Sequence, residues 1–269
     1  MESKNVIAVI AIVVAVVALI GCLMLIDDKN DDEDEEIFQK VGIIGAMADE
    51  VQLLKDEMEV NRITTVSGME FYEGTLRGHD VVLVQCGMGK VNAGICAQVI
   101  TTQFKATCVI NTGVAGALDD SLDIGDFVIS VDAVQHDFDV SPIGFKKGEI
   151  PYTGKVSFEA DPTMIRLAER AFEASAPDIH FVEGRVCSGD QFISTTEQKE
   201  RIIDEFDGTC CEMEGGAIAH VCYLNETPFV IIRAMSDKAD GSAPEDYKEF
   251  EKQVAVLSSK IVLYMVEAI

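Results

Sequence analysis

Carboxyl groups lie at the ends of the most apolar segments of this sequence, where they could transfer protons. Asp237 closes the segment PFVIIRAMSD (228 to 237). Because an apolar environment removes water from a carboxyl group, it raises the pKa and makes the group a proton donor near neutral pH. Glu212 and Glu214 lie at the start of an apolar helical stretch, where acids also occur simply as partners of the helix dipole. The pattern therefore indicates acid chemistry at Asp237 and leaves two interpretations of the glutamates open.

Four polar or glycine-rich segments follow apolar ones and are predicted to form the rim of one pocket. They read GAMADE (45 to 50), CGMGK (86 to 90), NTGVAG (111 to 116) and RAMSD (233 to 237). The second is not a phosphate-binding Walker A loop, because that motif needs serine or threonine after the lysine and Val91 follows Lys90. Gly87 and Gly89, taken alone, also fit close packing of a strand against a helix.

Apolar segments rich in β-branched residues are predicted to be the strands that position this pocket. They are residues 41 to 47, 80 to 89, 107 to 116, 125 to 134 and 228 to 237. Helices are predicted at about residues 49 to 58, 91 to 104, 162 to 175, 196 to 206, 213 to 224 and 244 to 268. This alternation indicates an α/β fold, a three-layer sandwich around a central mixed, largely parallel sheet. Ligands of such folds bind at the carboxyl ends of strands.

The composition excludes some classes of partner. The 269 residues include 47 acidic and 21 basic side chains, a formal charge of −26. This charge opposes binding to nucleic-acid phosphates, so we predict no nucleic-acid partner. The eight cysteines contain no CxxC motif, and we expect buried free thiols of a reducing compartment and no metal site.

The first 39 residues differ from the rest of the chain. Residues 6 to 26 are 21 consecutive apolar positions, and a helix of that length spans roughly 31 Å, the thickness of a bilayer core. We therefore predict a transmembrane anchor or signal segment at residues 1 to 26. The tetrapeptide Leu19-Ile20-Gly21-Cys22 also resembles a bacterial lipobox, so a lipoprotein attached through Cys22 is the alternative. Residues 27 to 39 are predicted to be an acidic linker, and residues 40 to 269 the catalytic domain.

The catalytic domain contains a series of motifs in a defined order. They read IGAMADEV (44 to 51), GMGKVNAG (87 to 94), NTGVAGAL (111 to 118), HDFDV (136 to 140), SGDQFI (188 to 193), EMEGGAIAHV (212 to 221) and PFVIIRAMSDKAD (228 to 240). The series resembles the 5′-methylthioadenosine/S-adenosylhomocysteine nucleosidases, a family within the nucleoside phosphorylase superfamily. The resemblance covers about residues 41 to 269 and implies a nucleoside phosphorylase-like fold and a homodimer.

The resemblance also implies a reaction. Members of this family hydrolyse the bond between N9 of adenine and C1′ of a 5′-thio-substituted ribose, through a sugar with oxocarbenium character, and need no cofactor. The expected substrates are methylthioadenosine and S-adenosylhomocysteine, with 5′-deoxyadenosine as a further candidate. By motif match Asp237 protonates N7 of adenine and Glu50 activates the attacking water. Positioned acids and bases of this kind typically contribute about 10²- to 10⁴-fold each.

Further residues are implied to bind the substrate. Glu214 matches the carboxylate that contacts the ribose hydroxyls and stabilises the positive sugar. Phe192 matches the aromatic ring that packs on adenine, and Tyr247 matches a lid over the purine. The substrate-binding positions implied by the resemblance are Phe192, Ile193, Met213, Glu214, Ser236, Tyr247, Val114 and Gly116. Val114 stands where some members carry a serine whose hydroxyl could bind the catalytic aspartate.

Two other functions remain as alternatives. Phosphorolysis, or the action of another purine nucleosidase, is disfavoured because Asp49 and Glu50 occupy the loop where a phosphate-binding arginine would be needed. A non-catalytic, membrane-tethered nucleoside-binding protein is disfavoured because such a protein has no need of Glu50, Glu214 and Asp237 together.

The sequence gives two opposite indications of the side of the membrane on which the catalytic domain lies. Lys4 precedes the apolar run and acids follow it, which by the positive-inside rule places the catalytic domain outside. The cysteines and an intracellular pool of adenosine thioethers favour the cytoplasmic face.

Overall fold

A computed structural model describes residues 38 to 269 of the chain. The predicted anchor at residues 6 to 26, the lipobox at Cys22 and nearly all of the predicted acidic linker lie outside the described residues. Within residues 38 to 269, the helices are either too short or too polar to cross a bilayer.

Ten strands form one mixed sheet. They are β1 (Val41–Gly45), β2 (Glu59–Val66), β3 (Met69–Leu76), β4 (His79–Gln85), β5 (Cys108–Ala117), β6 (Phe127–Gln135), β7 (Ser157–Glu159), β8 (Phe181–Ser188), β9 (Cys210–Glu212) and β10 (Phe229–Asp237). From one edge the order is β2, β3, β4, β1, β5. Strands β5, β9, β8, β6 and β10 then close into a ring, because β10 pairs with both β6 and β5.

Helices cover both faces of the sheet. They are α1 (Ala48–Glu57), α2 (Lys90–Thr102), α3 (Pro162–Ser175), α4 (Thr196–Phe206), α5 (Gly215–Leu224) and α6 (Ala243–Glu267). Helices α1, α3 and α6 pack together on one face, and α2 packs against α5 on the other. Successive strand residues point to opposite faces, so Ile43 joins the core under α1, α3 and α6, whereas Ile44 joins the core under α2 and α5. The result is the three-layer arrangement expected from the sequence.

Every predicted strand and helix is present within residues 38 to 269, with ends that differ by a few residues. The sequence analysis missed β2, β3, β7, β8 and β9. Strand β2 is mostly exposed, and β8 contains charged residues and a glycine, so neither has the continuous apolar pattern of a buried strand.

The expectation of a largely parallel sheet is wrong. Five of the ten strand pairings are antiparallel. Two tight turns, Ser67-Gly68 and Arg77-Gly78, connect β2, β3 and β4, and all four residues have positive φ. Consecutive positive φ values characterise the turns that join antiparallel neighbours, and glycine adopts them at low cost. Parallel pairing is nevertheless retained among β4, β1, β5 and β10, so the carboxyl ends of these strands meet.

Candidate active site

A cavity opens at the carboxyl ends of β1, β5 and β10. It is lined by apolar side chains and a few carboxyl groups, as is typical of small-molecule sites. All ten residues predicted for the site line this cavity, although they come from six separate segments of the chain. They are Glu50, Val114, Gly116, Phe192, Ile193, Met213, Glu214, Ser236, Asp237 and Tyr247.

Glu50 lies in the first turn of α1, directly after β1. One carboxylate oxygen, Oε2, accepts hydrogen bonds from the backbone N–H groups of Ala46 (2.6 Å) and Met47 (2.8 Å). The other, Oε1, accepts one from the N–H of Val114 (3.2 Å). The side chain is 1% exposed, and burial raises the pKa of Glu50, opposed by Arg233 and by these three N–H groups. Glu50 is thus a buried carboxyl group whose oxygens are fixed by the backbone.

Asp237 ends β10 on the opposite side of the cavity, paired in register with Gly116 of β5. Its Oδ1 accepts the backbone N–H of Ala239, and its Oδ2 accepts the Ser236 hydroxyl, both at 2.9 Å. Burial raises the pKa of Asp237, and the two hydrogen bonds oppose this effect. A side-chain carbon at position 116 would lie 2.7 Å from Asp237 Oδ1, so glycine at this position provides the space for the acid.

Glu214 precedes α5 and reaches across the cavity to the start of α2. Its Oε1 accepts the backbone N–H of Gly89 at 2.9 Å. Burial and the neighbouring Glu212 raise the pKa of Glu214 to about 7, although Arg233 and the Gly89 N–H lower it. A substrate that carries positive charge on its sugar would stabilise the ionised form of this carboxyl group.

The sequence analysis missed Arg233, the cation that connects these carboxylates. Its Nη2 lies 2.5 Å from Glu212 Oε2 and donates to Asn111 Oδ1 at 2.6 Å. Burial lowers the pKa of Arg233, but Glu212, Glu214 and Glu50 raise it above the ordinary value. The available signal was a charged residue inside the otherwise apolar run Phe229 to Met235, since arginine is rarely buried without partners.

Gly113 makes the approach of Arg233 to Glu50 feasible. A side-chain carbon at this position would lie 2.2 Å from Arg233 Nη1 and 2.6 Å from Glu50 Oε1. Both distances are shorter than van der Waals contact, so a larger residue would separate the two groups.

Aromatic rings form the outer wall of the cavity. Phe192 is 44% exposed and meets Tyr247 edge to face, with ring centroids 5.6 Å apart. The Tyr247 hydroxyl contacts the Met47 sulfur at 3.2 Å. Ile193 is buried beside Phe192. These flat apolar groups could accommodate a heteroaromatic base.

The side chain of Val114 does not orient Asp237. The two hydrogen bonds to Asp237 come from Ser236 and Ala239. Val114 instead contributes its backbone N–H to Glu50. A serine hydroxyl at position 114 is therefore not needed for the orientation of the acid in this chain.

Comparisons with known proteins agree with this geometry. The model of the phosphorylase superfamily matches residues 40 to 267. A 5′-methylthioadenosine/S-adenosylhomocysteine nucleosidase of Bacillus thuringiensis is 38% identical over 229 residues, which cover 85% of this chain and 98% of that protein.

Solved structures give the same result. The nucleosidase of the same name from Neisseria meningitidis, in complex with methylthio-immucillin-A, has a TM-score of 0.83 and 39% identity, and the match covers 86% of this chain and 100% of that one. A futalosine hydrolase of Helicobacter pylori has a TM-score of 0.81 and 30% identity, covering 86% of this chain and 98% of that one.

Proposed function

The chain belongs to the phosphorylase superfamily, and from its cavity we infer a nucleosidase that hydrolyses the N-glycosidic bond of 5′-methylthioadenosine and S-adenosylhomocysteine. The products are adenine and the 5-thio-substituted ribose. One observation carries the inference: Glu50 and Asp237 approach β5 at Val114 and Gly116, two residues apart. This separation is about 7 Å along a strand, so two carboxyl groups can act on opposite sides of one nucleoside.

We propose that Asp237 protonates N7 of the adenine. Adenine leaves as a neutral base only if it gains a proton, and burial raises the pKa of Asp237, which favours the protonated form that a general acid needs. Phe192 and Tyr247 would hold the purine, and the backbone of Ile193 would contact its edge. The purine would then lie between the aromatic wall and the acid.

On the other side of the sugar, Glu50 is proposed to accept a proton from the attacking water. Its two oxygens are fixed by three N–H groups, so little reorganisation is needed when the water is deprotonated. Arg233 favours the ionised form of Glu50 that this role requires.

Glu214 is proposed to bind the ribose hydroxyls and to stabilise the positive charge that develops at C1′, with the backbone of Met213 against the ribose. Glu50, Glu212 and Glu214 oppose a single guanidinium, that of Arg233. A cavity with this excess of carboxylates stabilises a cationic sugar more than a neutral one.

Water rather than phosphate is the proposed nucleophile. Arg233 is 1% exposed and already contacts Glu212 and Asn111, so it cannot neutralise an incoming dianion. The test is to incubate the protein with methylthioadenosine with and without phosphate and to identify the sugar. Free methylthioribose at an unchanged rate is expected, whereas a phosphate-dependent sugar 1-phosphate would overturn the proposal.

The similarity to a futalosine hydrolase adds one competing substrate. We expect methylthioadenosine and S-adenosylhomocysteine to be preferred over futalosine, because the relatives in sequence carry the former activity. The ratio of kcat/KM values for the three compounds measures this preference, and a higher value for futalosine would reverse the assignment.

We further propose that the protein is a homodimer. Val91 and Ile95 lie four residues apart on α2, Met88 precedes the helix, and each of the three is at least 40% exposed. A spacing of four places Val91 and Ile95 on one side of the helix, as an apolar surface that a second copy could cover. Light scattering of residues 40 to 269 should give twice the monomer mass, and Val91→Glu should shift it towards the monomer.

Anchoring by residues 6 to 26 is a separate proposal, which rests on their apolar sequence. The full chain should stay in the membrane pellet after alkaline extraction, and residues 40 to 269 should be soluble and active.

Mass spectrometry of the anchored protein distinguishes an intact helix from a lipid on Cys22. Protease protection in sealed vesicles assigns the catalytic domain to the cytoplasmic or the outer face. An active full chain in the soluble fraction would overturn the anchor.

A further inference from the structure

Lys199 is a buried lysine that lies behind the proposed catalytic acid. It belongs to the first turns of α4 and is only 8% exposed. Its ammonium group donates to the backbone carbonyl oxygen of Lys238 at 3.3 Å and pairs with Asp120 at 2.9 Å. Asp120 is itself almost fully exposed. Lysine is rarely buried without a partner, and here one of its two partners is the residue that directly follows Asp237.

The carbonyl group that Lys199 binds and the N–H group that binds Asp237 belong to the same peptide. The C=O is that of Lys238, and the N–H is that of Ala239, which donates to Asp237 Oδ1 at 2.9 Å. Because a peptide group is planar, fixing its oxygen also fixes the direction of its N–H. A cation on the oxygen also polarises the group and strengthens the hydrogen bond on the other side.

The peptide needs external support, because its backbone conformation is unfavourable. Ala239 has φ of +53°, a left-handed conformation that costs a residue with a β-carbon about 1 kcal/mol or more. The Ala239 side chain is fully buried and belongs to the same apolar cluster as Ile202 of α4 and Leu118. Helix α4 thus supports this loop twice, by packing and by the ammonium group of Lys199.

We propose that Lys199 is a positioning residue for the catalytic acid, which holds the Lys238–Ala239 peptide so that its N–H occupies Oδ1 of Asp237. With Oδ1 occupied by a donor, the acidic proton resides on Oδ2 and is delivered to the adenine from there. The Ser236 hydroxyl can donate to the Ala115 carbonyl oxygen before the transfer and to the Oδ2 anion after it. This inference rests on the role of Asp237 in the proposed function. It assigns to Lys199 an effect on proton donation rather than on substrate binding.

Several charged or titratable groups face Asp237 and set the background for this effect. Asp240 in the same loop and Asp246 on α6 raise its pKa, while Tyr247 on α6 and Cys211 on β9 also lie close enough to interact with it. Lys199 acts on the Asp237 anion through the peptide. Its loss would weaken the Ala239 hydrogen bond, destabilise the anion and move the alkaline limb of the pH profile to higher pH.

The test compares variants of the full chain on two substrates. Methylthioadenosine needs a protonated leaving group, whereas 4-nitrophenyl 5-methylthioribofuranoside releases a stable phenolate without acid catalysis. For Lys199→Met we expect kcat on methylthioadenosine to fall about 10-fold, the loss of one hydrogen bond to a charged group. KM should stay within about twofold and the nitrophenyl substrate should be hydrolysed at nearly the parent rate. Lys199→Arg, which retains the cation, should recover most of the loss.

Lys147→Met provides the matched control. Lys147 also contacts α4, through Glu205 near the other end of the helix, so its loss removes an anchor of α4 that is remote from Asp237. It should change the activity on neither substrate by more than about twofold, the size expected of an exposed ion pair.

The ratio of the activities on methylthioadenosine and on the nitrophenyl substrate tests the role of Lys199, because this ratio does not depend on the fraction of folded protein. If Lys199→Met lowers both activities equally, or if Lys199→Arg recovers nothing, Lys199 is not a positioning residue for the acid. If Lys199→Met does not fold, Lys199→Gln replaces it and is judged by the same ratio. A parent protein inactive on both substrates would overturn the proposed function itself, which separates the two failures.

Discussion

The carboxyl groups on the two sides of the cavity, Glu50 and Asp237, have different surroundings. Glu50 accepts three backbone N–H groups and lies near the buried cation Arg233. Asp237 accepts one N–H and one hydroxyl, and the charged residues with the largest effect on it, Asp240 and Asp246, are acids. Burial raises the pKa of both groups. At Glu50 the neighbouring cation and the three N–H groups oppose this effect, whereas at Asp237 the neighbouring acids add to it.

Under the proposed roles, this difference would allow one residue class to supply both a base and an acid. Two carboxyl groups acquire distinct roles when their environments separate their pKa values. Here the two environments differ in the number of hydrogen-bond donors and in the sign of the neighbouring charges, while both residues are buried. The comparison can be tested by substitutions that remove a charge without changing shape.

The largest effect is expected for Glu50→Gln, which should lose both activity and stability. Both oxygens of Glu50 accept N–H groups, so an amide NH₂ placed there faces donors. Activity on methylthioadenosine should fall at least about 10²-fold. An unsatisfied buried donor should also lower the free energy of unfolding by about 1–3 kcal/mol. Urea denaturation and steady-state kinetics measure the two losses, and a variant as stable as the parent would contradict the donor arrangement.

Asp237→Asn should lose activity alone. The Ser236 hydroxyl can rotate to accept from an amide, and the amide oxygen can still accept the Ala239 N–H, so the melting temperature should change little. The amide cannot deliver a proton, and kcat should fall at least about 10²-fold, or some 2.7 kcal/mol of transition-state stabilisation. Asp240→Asn is the control, with kcat expected within about threefold of the parent. Activity of Asp237→Asn within threefold of the parent would show that this residue is not the acid.

Glu214→Gln should have an intermediate effect, seen in both kcat and KM. If Glu214 contacts the ribose in the ground state and in the transition state, each parameter should worsen by about tenfold. Equal kcat with a higher KM would instead limit its role to binding.

The same substitution should stabilise the protein in alkaline solution. The pKa of Glu214 is raised by burial to about 7, so the stability cost of this group grows as the pH rises from its unfolded value near 4.5 to about 7, and it is constant above that pH. Glu214→Gln should therefore gain about 3 kcal/mol of stability over the parent at pH 8.5 relative to pH 4, where the advantage should disappear. Melting curves at both values measure it, and an equal difference at the two pH values would refute the titration.

The smallest effect is expected for Val114→Ser. The backbone N–H of residue 114, which binds Glu50, is unchanged by the substitution, and Asp237 has its own donors. We expect kcat/KM within about twofold of the parent, the scale of a neutral change without a new partner. A gain above tenfold would mean that a hydroxyl at position 114 reaches the acid after all.

The sequence was sufficient to predict the strands that are buried on both faces and the helices between them. Strands β1, β5 and β10 are buried along their whole length and are mostly apolar, a local pattern that does not depend on what packs against them. Strands β2 and β8 could not be predicted in this way, because one is exposed at the sheet edge and the other alternates irregularly. Their strand conformation follows from pairing with β3 and with β6.

All ten residues predicted for the site line the cavity. Nine of them were predictable because they lie in ordered motifs that resemble a known family, and Tyr247 was predicted from its spacing after the last motif. The contacts that hold these residues in place could not be predicted from the sequence. Arg233 reaches Asn111 across 122 positions of the chain, and Lys199 reaches the Lys238 carbonyl across 39. Neither contact has a local signature.

The sequence alone therefore determined which groups can perform chemistry and which segments form strands, since both depend on residue type and short-range periodicity. The tertiary structure decided how each group behaves. The register of β10 on β5 places Asp237 beside Gly116 and Arg233 beside Gly113, and the two glycines leave space for the acid and for the cation next to Glu50. The pKa of a carboxyl group depends on such neighbours within a few ångströms, and only the packing of distant segments determines which neighbours these are.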